Sequence, residues 1–152
     1  MHEKFMRDAL EEAKKAYKKD EVPVGAVIVK DGKIIARGHN LVKKKKDPCG
    51  HAEIITIRKA CKKLNNERLN GTSLYVNIEP CSMCAGAIIL ARIEKVVYGA
   101  DDPKTGACGS VFEIINSPKN NHKVEVVKGI MRQECAEILR EFFKEKRARV
   151  DR

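Results

Sequence analysis

No apolar run in this sequence approaches the roughly 20 residues that a membrane-spanning helix needs, which argues against a helical membrane protein. The opening Met1-His2-Glu3-Lys4 lacks the apolar stretch of a secretory signal, so a soluble, cytoplasmic chain with no membrane partner is expected. Internal repeats, low-complexity tracts and Pro/Gly/Ser linkers are missing too. Residues 1–152 are therefore expected to form one domain, long enough to bury a core without disulfide staples. Acidic residues are in deficit: 21 Asp plus Glu against 31 Lys plus Arg leave a formal charge of +10. That excess suits a polyanionic partner, because neutralising phosphates releases counterions; it equally suits a merely well-solvated surface.

The apolar fraction of 43% is that of a globular chain. From His2 to Lys19, Phe5, Met6, Ala9, Leu10, Ala13, Ala16 and Tyr17 fall on one face at helical spacing. Val24–Val29 and Lys33–Arg37 flank Asp31-Gly32 and read as a β-hairpin. A loop from Gly38 to Gly50 carries the run Lys43–Lys46, placed either to meet phosphate or simply to be solvated. Beyond it, His51–Leu64 reads as a helix, Ser73–Ile78 as a strand, Cys81–Arg92 as a helix and Lys95–Tyr98 as a strand. A short apolar piece, Val111–Ile115, precedes a last strand near Val124–Val127 and a final helix over Met131–Lys146. Strands alternating with helices predict a layered α/β domain with a largely buried sheet.

Six cysteines without an export signal suit metal or redox chemistry better than disulfides. Cys49, Cys61, Cys108 and Cys135 read as small apolar residues. The informative segments are His51-Ala52-Glu53 and Pro80-Cys81-Ser82-Met83-Cys84. Zinc takes imidazole nitrogen and thiolate sulfur, and a catalytic zinc keeps three protein ligands with a fourth position open to water. His51, Cys81 and Cys84 supply that number. Cys81 and Cys84 lie at i and i+3 on the expected helix and can grip one ion, with Pro80 suited to its first turn. The unpaired amides of a helix start favour thiolates, and His51 opens a second helix. Taken singly, Cys-x-x-Cys is also a redox pair or half of a structural zinc knuckle. A fourth ligand, Cys49 or Cys61, would make the site structural and leave Glu53 without a task.

Together and in this order, the two segments resemble the known His-x-Glu and Pro-Cys-x-x-Cys signature of the zinc nucleoside and nucleobase deaminases. The resemblance implies a three-layer α/β/α cytidine deaminase-like fold with a mixed, mostly buried five-stranded sheet. It implies one zinc ion per chain, which activates a water for attack on the base. Glu53, not itself a ligand, would take a proton from that water, pass it to the base ring and help protonate the departing ammonia.

The likeness narrows further. Glu21–Val27, Gly38-His39-Asn40, Asp47-Pro48, Glu79–Ala87, Asp102–Gly106, Asn121-His122 and Glu134-Cys135-Ala136 look like bacterial tRNA adenosine deaminases, from the first helix to about Arg147. This implies a homodimer that converts a flipped-out wobble adenosine of the tRNA anticodon stem-loop to inosine. Carried over by motif, Asn40 and Ala52 would meet the target nucleotide, Asp102 a ribose hydroxyl and Lys104 phosphate. Asn121 and His122 would contact other anticodon-loop nucleotides. Of Phe142 and Phe143, one would pack inward and the other, Phe143, would stack on a base. Asn40 and Asp102 also have plain readings as turn residues. The sequence departs from that family at Cys49 and Gly50, and at Asn77 where Thr is common; none of these replaces a catalytic group. Two alternatives stand beside this reading. One is a zinc deaminase of free cytosine, cytidine or guanine, which has no need of the basic balance. The other is a non-catalytic, zinc-stabilised RNA-binding subunit, which would typically lose Glu53.

Overall fold

The apolar face of the first helix, α1 (His2–Lys18), buries Phe5, Met6, Ala9, Leu10, Ala13 and Ala16 against β1 and β3 in the computed structural model, which describes residues 1–150. β1 (Gly25–Lys30) and β2 (Lys33–His39) form the expected antiparallel hairpin. Its turn residues Asp31 and Gly32 have φ of 51° and 75°, the positive pair that a tight hairpin turn requires. β3 (Thr72–Ile78), β4 (Lys95–Ala100) and β5 (Glu125–Lys128) complete a sheet of order β2-β1-β3-β4-β5. β1 is antiparallel to β2 and β3, whereas β4 is parallel to β3 and β5.

Strand alternation divides the core into two layers. Ile28, Leu74, Val76 and Val96 face α3 (Ala52–Leu64) and α4 (Ser82–Leu90), meeting Ile57, Ala60, Ala85 and Ile88. Val27, Val29, Tyr75 and Val97 face α1 and α5 (Arg132–Val150). The fold is thus α/β/α with a mixed five-stranded sheet. Each fully buried Leu or Ile contributes roughly 1.5–3 kcal/mol through apolar burial.

Several local expectations change. The region expected as a loop from Gly38 to Gly50 begins as strand through His39 and contains a one-turn helix, α2 (Val42–Lys45). Glu21, distant in sequence, causes that turn: its carboxylate accepts the N–H groups of Lys43 and Lys44 at 3.0 and 2.8 Å. Lys43 also pairs with Asp20 at 3.2 Å, so the lysine run is partly tied down. Cys81 is the N-cap of α4, which puts Pro80 ahead of the helix rather than in its first turn. α4 stops at Leu90, and Arg92 reverses the chain with φ 62°. The apolar piece Val111–Ile115 is buried only at its end: Val111 and Phe112 are exposed, Ile114 packs against the core and Ile115 enters it. α5 runs past Lys146, where Lys146 and Arg149 reach Asp20 at 3.6 and 3.1 Å and hold the helix end to the α1–β1 turn.

Candidate active site

The starts of α3 and α4 bring three side chains together. His51 is the N-cap of α3 and Cys81 that of α4, both with extended backbone, and Cys84 lies within the first turn of α4. Nδ1 of His51 stands 3.5 Å from Sγ of both cysteines, and all three ligand atoms lie within 4.8 Å of one another. Zinc bonds of about 2.1 Å to nitrogen and about 2.3 Å to sulfur, at tetrahedral angles, separate N from S by about 3.6 Å. The trio therefore fits one zinc ion. Neither Cys49 nor Cys61 joins the cluster, so the described residues offer three ligands and leave a position for solvent.

The electrostatics agree with that fit. The Cys81 thiol is pulled down to about 4 by the Cys84 S–H and by His51, whereas Cys84, facing that thiolate and buried, is pushed up. Cys81 in turn raises His51. Two thiols this close share one proton between them, and a dication would take both as thiolates. Glu53 lies one residue into α3 beyond Ala52, is 3% exposed, and faces the same cavity without belonging to the ligand set. Burial pushes its carboxyl up to about 7, so it can both take and return a proton near neutrality.

His51, Cys81 and Glu53 line a cavity of about 1020 Å³, and Cys84 lies fully buried behind them. Asn40 forms part of its wall and is buried. The Asn40 amide donates from Nδ2 to the Val22 carbonyl at 3.3 Å, while Oδ1 has no partner at all. A buried, unpaired acceptor on a cavity wall is costly unless a ligand satisfies it. Ala52 is fully buried and lines the cavity beside Glu53. Lys104 stands at the rim, and so does Phe143, 43% exposed, while its neighbour Phe142 is 2% exposed and packs inward. Asp102 also borders the cavity, but its carboxylate accepts from the Lys104 and Thr105 N–H groups and the Thr105 hydroxyl, the arrangement of an Asx turn. Asn121 and His122 do not reach the cavity of this chain. His122 instead donates from Nε2 to the Ile93 carbonyl at 2.7 Å.

Residues given no site role from sequence also build the site. Arg140, Lys144 and Arg147 project from one face of α5 toward the cavity. Their i, i+4, i+7 spacing was readable as a basic stripe. Asn77, buried at the end of β3, accepts from Gly25 N–H at 2.8 Å and donates to the Pro23 carbonyl at 2.9 Å. The flanking carbonyls of Val22 and Val24 are the ones that hold the Asn40 side chain and backbone N–H. Asn77 is therefore a clamp on the Asn40 wall, a role that nothing local in the sequence announces.

With this geometry in hand, the comparisons with known proteins are specific. The sequence matches the MafB19-like deaminase family over residues 1–147. It is 50% identical over 145 residues to the tRNA-specific adenosine deaminase of Bacillus subtilis, covering 95% of this chain and 90% of that one. A solved structure from studies of tRNA:A34 deaminases at the wobble position of transfer RNA superposes with a TM-score of 0.86 at 50% identity, covering 89% and 98% of the two chains. A guanine deaminase from Nitrosomonas europaea shares the fold less closely, with a TM-score of 0.77 at 27% identity and coverage of 92% and 83%. The chain belongs to the MafB19-like deaminase family and, at half-identity over nearly its whole length, to the tRNA-specific adenosine deaminases.

Proposed function

We propose that this protein hydrolyses the wobble adenosine of a tRNA anticodon loop to inosine, releasing ammonia. The observation that carries the chemistry is the His51–Cys81–Cys84 cluster, whose His51 and Cys81 line a cavity that buried Glu53 and Asn40, with its unpaired oxygen, also line. Half-identity to a tRNA-specific adenosine deaminase over 95% of the chain, as against 27% and 39% to two guanine deaminases, favours adenosine in RNA over a free base. The retained Glu53 argues against a non-catalytic subunit.

His51, Cys81 and Cys84 would hold one zinc ion. When bound, zinc lowers the pKa of a coordinated water from about 15.7 to about 7. Glu53 accepts a proton from the attacking water and delivers it to the ring nitrogen next to the carbon under attack. It then takes the second water-derived proton from the hydroxyl newly bonded to that carbon and gives it to the amine as the C–N bond breaks. The carbon keeps a C=O, ammonia leaves and the carboxylate ends the cycle as it began. Asn40 receives a donor from the target nucleotide, and Ala52, small and buried, lets the base approach Glu53. Phe143 offers a stacking face, and Lys104, Arg140, Lys144 and Arg147 meet backbone phosphates. Asp102 shapes the loop that presents Lys104 and has lone pairs left for a ribose hydroxyl. Asn121 and His122, away from this cavity, suit anticodon-loop nucleotides bound beyond the chain's own pocket in a homodimer. The reading takes residues 1–152 as one cytoplasmic deaminase domain.

The test compares inosine formation in an anticodon stem-loop carrying wobble adenosine with deamination of free adenosine and cytidine. The stem-loop should be strongly preferred, because remote phosphate contacts contribute binding energy that a nucleoside forfeits. Its binding should weaken steeply with salt. Equal efficiency on cytidine, or salt-insensitive binding without inosine, would replace this reading with a small-substrate deaminase.

A further inference from the structure

Glu79 lies just past the end of β3, directly ahead of Pro80-Cys81, and only 1% of it is exposed. A buried carboxylate without a cation is expensive unless donors surround it. No salt bridge reaches Glu79 among the described residues; its donors come from a single loop. The Asp102 N–H donates to Oε1 at 3.0 Å, and the Ser110 hydroxyl donates to the same oxygen. The N–H groups of Cys108 and Ser110 donate to Oε2 at 2.9 and 3.2 Å. Two further links join the same segments. The Ala107 N–H donates to the Pro80 carbonyl at 2.8 Å, and Cys81 and Gly106 pair as an isolated bridge. Gly106 lies so close that a Cβ there would overlap the Glu79 carboxyl group.

The loop from Asp102 to Ser110 is thus wrapped around one side chain that stands two residues from a metal-site cysteine. Its near end carries Lys104 and Thr105 to the cavity rim. We infer that Glu79 is a positioning residue, setting where this loop and its Lys104 stand relative to the His51–Cys81–Cys84 cluster, and so governing polynucleotide binding. The inference rests on the reading of the loop as an RNA contact. A carboxylate suits all four donors, since it offers lone pairs on both oxygens and no donor of its own. In Glu79→Gln the amide NH₂ faces at least one backbone N–H whichever way it turns, that of Asp102 on one side or those of Cys108 and Ser110 on the other. These donors cannot reverse as the Ser110 hydroxyl can.

The experiment measures zinc content, stem-loop kinetics and the salt dependence of stem-loop binding for Glu79→Gln, Gly106→Ala and Lys104→Ala. Glu79→Gln should keep its zinc, raise stem-loop KM about tenfold with a smaller change in kcat, and flatten the slope of log Kd against log salt by about one. Gly106→Ala, which displaces the loop without touching the charge, should do the same. In a double-mutant cycle, Lys104→Ala should weaken binding in the parent and add nothing in the Glu79→Gln background. Unchanged KM and slope in both loop variants, or full additivity in the cycle, would overturn the inference. Should Glu79→Gln not fold, Gly106→Ala and a cycle built on it decide by the same criteria. A Lys104→Ala variant that binds the stem-loop like the parent would refute the RNA-contact reading of the loop, and the inference with it.

Discussion

Replacing Asn40 by alanine separates a binding residue from a turn residue, because the two roles predict opposite pairs of outcomes. The side chain makes one long hydrogen bond, to the Val22 carbonyl at 3.3 Å, and buries one oxygen with no partner. Losing the bond costs about 0.5–1.5 kcal/mol, and removing the unpaired acceptor recovers about 1–3 kcal/mol. The backbone N–H of Asn40, bonded to the Val24 carbonyl at 3.0 Å, is untouched by the substitution. The terms largely offset, so stability should change by about 1 kcal/mol or less, a Tm shift of a few degrees at most. Activity should suffer far more. A substrate donor lost from that buried oxygen is worth about 1–3 kcal/mol, or roughly 5- to 150-fold in kcat/KM. Thermal melts of the purified variant, together with inosine formation in a wobble-adenosine stem-loop, read both quantities. A variant destabilised by about 3 kcal/mol that kept kcat/KM within twofold would show that Asn40 only shapes its turn.

Three more outcomes follow from the site and its surroundings. Cys84→Ala should abolish tight zinc binding in elemental analysis, since two ligands remain where a catalytic ion needs three; one equivalent of zinc retained would refute the ligand set. Glu53→Gln should keep zinc and fold but lose at least about 10²-fold in turnover, the lower end for general acid–base catalysis. A rate within threefold of the parent would remove its proton-transfer role. Stability should also fall as the solution is acidified. Burial holds His39 below its usual 6.5, and Lys19 adds to this against the opposing pull of Glu12. Burial opposes the depression of Glu12, but hydrogen bonds from Lys15 and His39 outweigh it and hold Glu12 below 4.5. Both groups are depressed, so the His39 contribution is complete above pH 6.5 and that of Glu12 above pH 4.5, and each is lost as pH falls through the folded value. Urea midpoints of the parent should therefore drop more steeply with acid than those of a His39→Gln, Glu12→Gln double variant. Parallel curves would show that this cluster carries no linkage.

Local chemistry determined a great deal of this protein. The apolar stripe from Phe5 to Ala16 made α1 legible because a helix repeats its face every 3.6 residues, and Asp31-Gly32 marked the hairpin because few residue pairs tolerate two positive φ angles. His51, Cys81 and Cys84 were readable because a metal site demands particular donor atoms at a particular spacing on helix starts. Only the tertiary structure decided the rest. α2 exists because Glu21, more than twenty residues earlier, accepts its N–H groups, an interaction without a local signal. Asn77 and Glu79 look like ordinary strand-end residues until the β1 entry and the Asp102–Ser110 loop are folded against them. His122 stays out of the cavity wall and Arg147 joins it because crossovers and helix packing set distances that chain order does not encode. Donor chemistry and periodicity are properties of neighbouring residues; which buried polar group meets which loop is a property of the closed fold.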